Sequence, residues 1–463
     1  MAKLTFMGAT RQVTGSCYLL ETSVSNILLE CGLYQGSSIT ERQNRQDFTF
    51  DIDKIDAVVI SHTHLDHCGL LPKLVREGYR GPIYMTTATA DLISVMLTDS
   101  AHLAMKEAEW GSRAGKRLFK PLYTQKDVEH TLKLREPVQY GGVTRITPDA
   151  TLTYHDAGHI LGSAIVEIRI QETKKSKTLV FSGDLGNSKA ALLEDPVTLK
   201  QADILLLEST YGDRNHRSMT GTVDEFRQIL SDAADSGGNV LIPSFALGRT
   251  QEVIFWLGKF YREGSLKQKH VFLDSPMAIA ASDIYFKHLE LFNEEDAGIF
   301  REAVKGNWQE WLPVLKCTQT AEESMAINSI RGGAIIIAGS GMCSGGRIRH
   351  HLRNNLRSNK TQVIIVGFQA EGTPGRSLVD GAKSLKIFRD DIAVNATIHT
   401  LGGFSAHADQ SQLLEWAGNF KQASPELYLI HGELDKMQAL QSIFHEQQDW
   451  HANIPKPGQI VDF

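Results

Sequence analysis

Cysteine is scarce in this chain and badly spaced for cross-linking: Cys17, Cys31, Cys68, Cys317 and Cys343 are the only five in 463 residues, and no CxxC pair occurs. That argues against a disulfide-stapled scaffold and a thiolate zinc knot, and a reducing, cytoplasmic setting is expected. No uncharged apolar run reaches the roughly 18 residues that cross a bilayer. The first six residues alternate like a strand with no signal-peptide core before them, so neither export nor membrane insertion is expected. A positive excess is also missing. Lys and Arg number 48 against 54 Asp and Glu, a net −6, which argues against gripping nucleic acid by bulk charge. Fixed-period repeats and low-complexity segments are absent as well.

What is present has the composition of an ordinary α/β protein, 42% hydrophobic and 22% charged with 39 glycines. At about 100–200 residues per domain the length suggests two to four domains. Short β-type runs crowd the first part, at residues 3–7, 17–22, 26–31, 57–61, 82–85, 163–170, 178–182 and 203–208, and predict a packed β-rich sandwich. Residues 89–109 break this pattern and fit a helix. From about 210 the pattern changes. Continuous apolar runs at 239–243, 270–274, 334–338 and 362–367 alternate with helical segments such as 250–263, which predicts a parallel, doubly wound sheet. Beyond 390 two amphipathic stretches, 410–420 and 435–447, bracket a strand at 426–431.

The most informative residues follow an apolar run: Ala57-Val58-Val59-Ile60-Ser61-His62-Thr63-His64-Leu65-Asp66-His67. In extended backbone, residues two apart face the same way, so His62 and His64 can converge on one cation. The turn after them can aim Asp66 and His67 at a second. His159, Asp184 and His431 also sit beside predicted strands and near glycines. Each alone also fits a capped turn. Together with the cluster they form a nitrogen and oxygen donor set that needs no cysteine.

The run from His62 to His67, with His159 and Asp184 in this order, resembles the metallo-β-lactamase fold. Glu208-Ser209-Thr210-Tyr211-Gly212, Gly403-Phe404-Ser405-Ala406-His407-Ala408-Asp409 and His431-Gly432-Glu433 resemble three further motifs of its β-CASP branch of nucleic-acid-processing nucleases. The similarity covers essentially the whole chain. It implies an α/β fold: an αββα metallo-β-lactamase sandwich (1–208 and 386–463) with an inserted doubly wound parallel-sheet β-CASP domain (209–385). It implies two zinc ions per chain, one held by His62, His64 and His159, the other by Asp66, His67 and His431, with Asp184 bridging. Cations paired about 3.5–4 Å apart can generate hydroxide near neutral pH and stabilise a phosphodiester under in-line attack. Asp66 is counted with the catalytic groups, and His407 is implied as general acid for the leaving oxygen, with Glu208 orienting its imidazole. Glu208 alternatively caps the turn at 209–212. Histidine at 431 resembles the RNA-acting members, where DNA-repair members typically carry valine. The resemblance is to the pre-mRNA 3′-end cleavage endonuclease-like branch, and implies 5′-phosphate and 3′-hydroxyl products. One departure is Glu30, where the family has Asp to buttress the ligand loop.

An RNA substrate requires a local positive surface. Residues 324–370 contain no Asp or Glu but carry Arg331, Arg347, Arg349, Arg353, Arg357 and Lys360. Within this segment a glycine-rich turn containing Ser340 and Gly341 follows a strand and opens a helical stretch, a setting that can cradle phosphate. Arg347, Arg249 and Arg376 are further candidate phosphate contacts.

The sequence therefore predicts a zinc-dependent ribonuclease, an endonuclease acting on single-stranded RNA in a cleft between the two domains. A hydrolase of a small ester or thioester and a non-catalytic RNA-binding relative remain as alternatives. Endonuclease and 5′-exonuclease modes are not separated, and assembly is open between a monomer and a homodimer. No added RNA-binding module is expected before residue 1 and no long extension after the His431 motif.

Overall fold

The computed structural model describes residues 2–113, 120–172, 176–188, 190–303 and 306–463. The chain divides into two compact units. The first comprises residues up to Ser188, Asp195–Asn215 and His407–Phe463, and the second comprises the segment ending at Glu194 and His216–Ala406.

The first unit holds two seven-stranded sheets. One places β1 (Lys3–Phe6), β2 (Tyr18–Glu21), β3 (Asn26–Leu29), β4 (Ala57–Val59), β5 (Ile83–Thr86) and β6 (Arg135–Val138) side by side in chain order, with the C-terminal strand Gln459–Asp462 beyond β1. The other contains β7 (Thr144–Arg145), β8 (Ala150–Asp156), β9 (Ala164–Gln171), β10 (Ser176–Phe181) and β11 (Ile204–Glu208), followed by Glu426–Ile430 and Ala452–Asn453. Alternation along the strands explains the layering. In β11, Ile204 and Leu206 enter the core that also holds Leu4, Phe6, Ile27 and Leu29 from the first sheet, whereas Leu205 and Leu207 point to the opposite face. There they meet Leu413, Ala417, Met437 and Phe444 from the helices Gln410–Gly418 and Leu434–Gln448. The outer face of the first sheet, including Leu28, Val58 and Ile83, packs on Leu71, Leu74, Ile93 and Leu97 from Leu71–Arg76 and Thr87–Arg113. Helix, sheet, sheet and helix thus stack in four layers.

The parallel strands decide where chemistry can sit. β3 and β4 run parallel, as do β10, β11 and Glu426–Ile430. Their C-terminal ends release the loops that carry Glu30, the run from His62 to His67, Asp184 and His431.

The second unit is built on a sheet of six strands, all parallel. β12 (Val240–Pro243), β13 (His270–Leu273), β14 (Leu315–Cys317), β15 (Ala334–Ala338) and β16 (Gln362–Ile365) are joined by Thr397–Thr400 in the order β14, β13, β15, β12, β16, Thr397–Thr400. Residues 386–406, expected with the first domain, belong here, because Thr397–Thr400 pairs in register with β16 and the hairpin Ser384–Ile387 with Asp390–Ala393 buries Leu385, Ile387 and Ile392 in this unit's core. Residues 209–215, expected with the insertion, stay with the first unit. All five cysteines are free, and no described helix is long and apolar enough to cross a membrane.

Candidate metal centre

Past the end of β4, His62 and His64 remain in the chain segment leading to the short helix Leu65–Cys68, which His64 precedes in extended conformation. That helix carries Asp66 and His67, and the His67 ring comes within 4.0 Å of the His62 ring. The loop is held from beneath: Ser16 N donates to Asp66 O (2.8 Å), and Cys31 N donates to His67 O (2.8 Å). Gly32 passes so close that an added Cβ would lie 1.7 Å from Asp66 O, which explains glycine there.

Two sets of donor atoms converge. His62 Nε2 lies 3.1 Å from His64 Nδ1, and His159 Nε2 lies 3.3 Å from the same atom. Asp184 Oδ2 stands 3.5 Å from His62 Nε2 and 3.6 Å from His159 Nε2. Its other oxygen, Oδ1, stands 3.4 Å from His67 Nε2, and His431 Nε2 lies 3.5 Å from Asp66 Oδ2. Four donors bound tetrahedrally at zinc–nitrogen distances have edges of about 3.3 Å. The observed spacings match those edges. Moreover, His67 Nε2, His431 Nε2 and Asp184 Oδ1 are buried without a hydrogen-bond partner, a costly arrangement that a shared cation relieves. The residues present therefore fit bound divalent metal, with His62, His64, His159 and Asp184 forming one candidate donor group and Asp66, His67 and His431 another.

The imidazoles are oriented from behind. Ser61 Oγ lies 3.0 Å from His62 Nδ1, Glu30 Oε2 lies 2.9 Å from His67 Nδ1, and Thr210 Oγ1 lies 3.2 Å from His431 Nδ1. For His62 and His67 the opposite nitrogen faces the centre, whereas His431 turns Nδ1 toward Asp184 Oδ1 (3.5 Å) as well as Nε2 toward Asp66. Glu30 also accepts from Ser61 N (2.6 Å), so the longer side chain performs the buttressing expected of the family's Asp. Glu30 (φ 62°) and His431 (φ 49°) both adopt the left-handed backbone region, which costs a non-glycine residue about 1–2 kcal/mol and is retained where surrounding bonds fix it. For His431 those bonds include its N–H donating to Ala9 O (2.8 Å).

Electrostatics divide the imidazoles: against burial, the Asp184 and Glu30 carboxylates raise His67 well above its ordinary pKa, so it carries a proton that a bound cation must displace. Burial pushes His62 well below its ordinary pKa, the charge of His67 adding to this, and brings His64 down to about 4, so both are neutral donors near pH 7. Burial disfavours ionised Asp184, but the surrounding His431, His67 and His62 outweigh it and hold the carboxyl well below its usual range.

A third group adjoins these. Glu208 is fully buried at the end of β11, accepting from Leu185 N (2.9 Å) and Thr210 N (3.1 Å) and lying 3.2 Å from His407 Nδ1. His407 Nδ1 is 3.9 Å from Asp184 Oδ2. Burial works against its charged form, yet the Glu208 carboxylate and then Asp184 raise its pKa.

The chain's relationships agree with this architecture. Residues 19–209 match a metallo-β-lactamase superfamily domain, 250–378 a β-CASP domain and 391–455 a Zn-dependent metallo-hydrolase RNA specificity domain. A protein of Thermus thermophilus named ribonuclease TTHA0252 is 39% identical over 94% of both chains. The chain belongs to the β-CASP family of metallo-β-lactamase-fold hydrolases. Transcription termination factor FttA of Methanocaldococcus jannaschii is 33% identical over 96% of this chain and 70% of its own. A crystal structure of a protein of unknown function from Enterococcus faecalis V583 shares the β-CASP chain's fold across 99% of both chains, with a TM-score of 0.53 and 13% identity.

The five expected substrate contacts lie in the second unit and have other partners. Arg249 is buried, 4% exposed, and ion-paired to Glu252. Arg347 donates to Asp274 Oδ1 (2.7 Å), Thr318 O (2.9 Å) and Gln319 O (2.7 Å). Arg249 is thus an internal strut, while Arg347 is partly exposed and held by these acceptors. Arg376 pairs with Asp380 (2.9 Å), Ser340 Oγ accepts from Gly345 N (3.1 Å), and Gly341 leaves room for the Phe245 ring, 2.5 Å from where a Cβ would stand. The orienting hydroxyls of Ser61 and Thr210 were missed from sequence. The available signal was their position beside the His62 cluster and the Glu208 motif.

Proposed function

We propose that this chain is a ribonuclease that hydrolyses phosphodiester bonds of single-stranded RNA with two zinc ions. The observation carrying this reading is the divided carboxylate of Asp184, one oxygen facing His62 and His159, the other facing His67, with His407 beside it. The ribonuclease named above, related along nearly its full length, supports RNA as the substrate.

His62, His64 and His159 would hold one cation, Asp66, His67 and His431 the other, and Asp184 both. An imidazole-rich set with carboxylates suits zinc. When bound, such a pair supplies an activated nucleophile at neutral pH and offsets phosphate charge. Glu30 and Ser61 fix which imidazole nitrogen faces the centre. His407, held through Nδ1 by Glu208, delivers a proton to the departing ribose oxygen, a role in which general acids typically contribute about 10²–10⁴-fold.

Replacing His407 with Ala tests the division of labour. RNA cleavage by the purified protein is expected to fall by about 10²–10⁴-fold with metal content unchanged. Unchanged cleavage would remove His407 from the chemistry, and preferential activity on a chromogenic ester would point to the small-molecule hydrolase instead.

A further inference from the structure

The second unit displays an aromatic ring where folding alone gives little reason to place one. Phe388 is the only phenylalanine among the described residues left exposed, at 42%. It occupies the first position of the two-residue turn between Ser384–Ile387 and Asp390–Ala393, with φ 58°. Turns of this kind favour Gly, Asn or Asp, and a bulky side chain in the left-handed region is unusual. The strand residues on either side, Ile387 and Ile392, are buried, so the hairpin is anchored by other side chains while its tip presents the ring.

Two neighbouring side chains lie against that ring. The Arg349 guanidinium lies 4.5 Å from its centroid, and the His350 ring lies 4.7 Å away at a tilt of 42°. Arg353, one turn further along the helix Ile348–Asn355, pairs with Asp390 at 2.6 Å, and Arg389 stands exposed beside Phe388 in the turn. The helix belongs to the acid-free segment 324–370, and its stripe of Ile348, Leu352 and the following Leu356 is buried, which turns the arginines outward. An exposed aromatic flanked by Arg349 and Arg389 is too small and too charged for an apolar protein interface. It has the composition of surfaces that bind single-stranded nucleic acid, with a π-face for a base and cations for adjacent phosphates.

We propose that the turn at Phe388 and Arg389, with the helix face bearing Arg349, is a docking platform for single-stranded RNA, one base stacking on Phe388 and the neighbouring phosphates meeting Arg349 and Arg389. This rests on the ribonuclease reading and adds a binding subsite remote in sequence from the metal ligands. The platform contributes affinity and leaves the bond-breaking step untouched.

The test compares the full-length protein with its Phe388→Ala, Phe388→Leu and Phe388→Trp variants in two assays. One is anisotropy of a fluorescent single-stranded oligoribonucleotide in chelator, and the other is cleavage of the same RNA with zinc. Removing one stacked base is expected to weaken binding by about 5- to 100-fold and to raise KM correspondingly with kcat unchanged. Trp should restore binding and Leu should not, which separates stacking from simple apolar contact. Combined Arg349→Ala and Arg389→Ala replacement should flatten the salt dependence of binding. Equal RNA affinity of the Phe388→Ala and wild-type proteins overturns the platform and leaves the ribonuclease reading standing. Tight, Phe388-dependent binding without metal-dependent cleavage supports the platform and overturns that reading. Absence of RNA binding by the wild-type protein overturns both.

Discussion

Asp184 turns its two oxygens toward different imidazoles, His62 on one side and His67 on the other, and in the proposed function it is the side chain that both cations would share. His431 serves only the second set. Replacing His431 with Ala should therefore lower zinc content from two ions toward one per chain while the melting profile of the second unit is kept, and atomic absorption on gently purified protein checks this. Glu30 never reaches the centre itself but fixes His67 Nδ1. Its replacement by Ala should weaken zinc binding by about 10- to 100-fold, the usual effect of losing a group that orients a ligand, measured by competition with a chromophoric chelator. Much of this site was legible in the sequence. The spacing of His62, His64, Asp66 and His67 and the placement of His159, Asp184 and His431 beside strands all name residues that meet in the structure. Ser61, Thr210 and the carbonyl of Ala9 were not legible, because a hydroxyl or main-chain group that orients a ligand carries no spacing signature of its own.

At the scale of elements, apolar runs locate the interior strands well and the edges poorly. β15 and the first four residues of β11 are continuous apolar stretches, and both strands are buried throughout. β6 contains Glu136 and Pro137, both exposed, and lies at a sheet edge, where a missing N–H donor is tolerated. Thr397–Thr400 is a polar edge strand, and only its parallel register with β16 assigns it to the second unit. The same unit contains a buried charge network invisible in sequence. Asp274, at the end of β13, accepts from Arg347 (2.7 Å), Thr318 Oγ1 (2.6 Å) and Ser324 Oγ (2.6 Å) and meets His351 Nε2 at 2.6 Å. Burial alone would raise its pKa, but these partners hold it well below the ordinary carboxylate range. A carboxyl depressed on folding contributes stability that is present above its unfolded pKa of about 3.9 and is lost as pH falls toward the folded value. The second unit should thus lose stability below about pH 4. Asp274→Ala should lower stability at pH 7 by about 3–5 kcal/mol through the uncompensated charges it leaves, and should remove most of that acid sensitivity. Urea unfolding at both pH values measures each effect.

On the scale of the whole molecule, the chain carries two independent cores, and only one contains the proposed cation sites. A cation that binds the folded state alone stabilises it by mass action. Chelation should accordingly lower the melting temperature of the first unit, where paired imidazoles and carboxylates lose their common partner, and leave the transition of the second unit in place, as scanning calorimetry can resolve. The overall charge of −6 conceals this distribution, since the acid-free, arginine-rich stretch lies in the second unit and the proposed metal ligands lie in the first. The most direct test of the central claim is cleavage of an end-labelled single-stranded RNA by the purified protein, stripped with chelator and then resupplied with zinc. The geometry around Asp184 predicts no cleavage by the stripped protein and restored cleavage once about two equivalents of zinc are bound. Equal cleavage by stripped and zinc-loaded protein, or none by protein shown to hold two zinc ions, would contradict it.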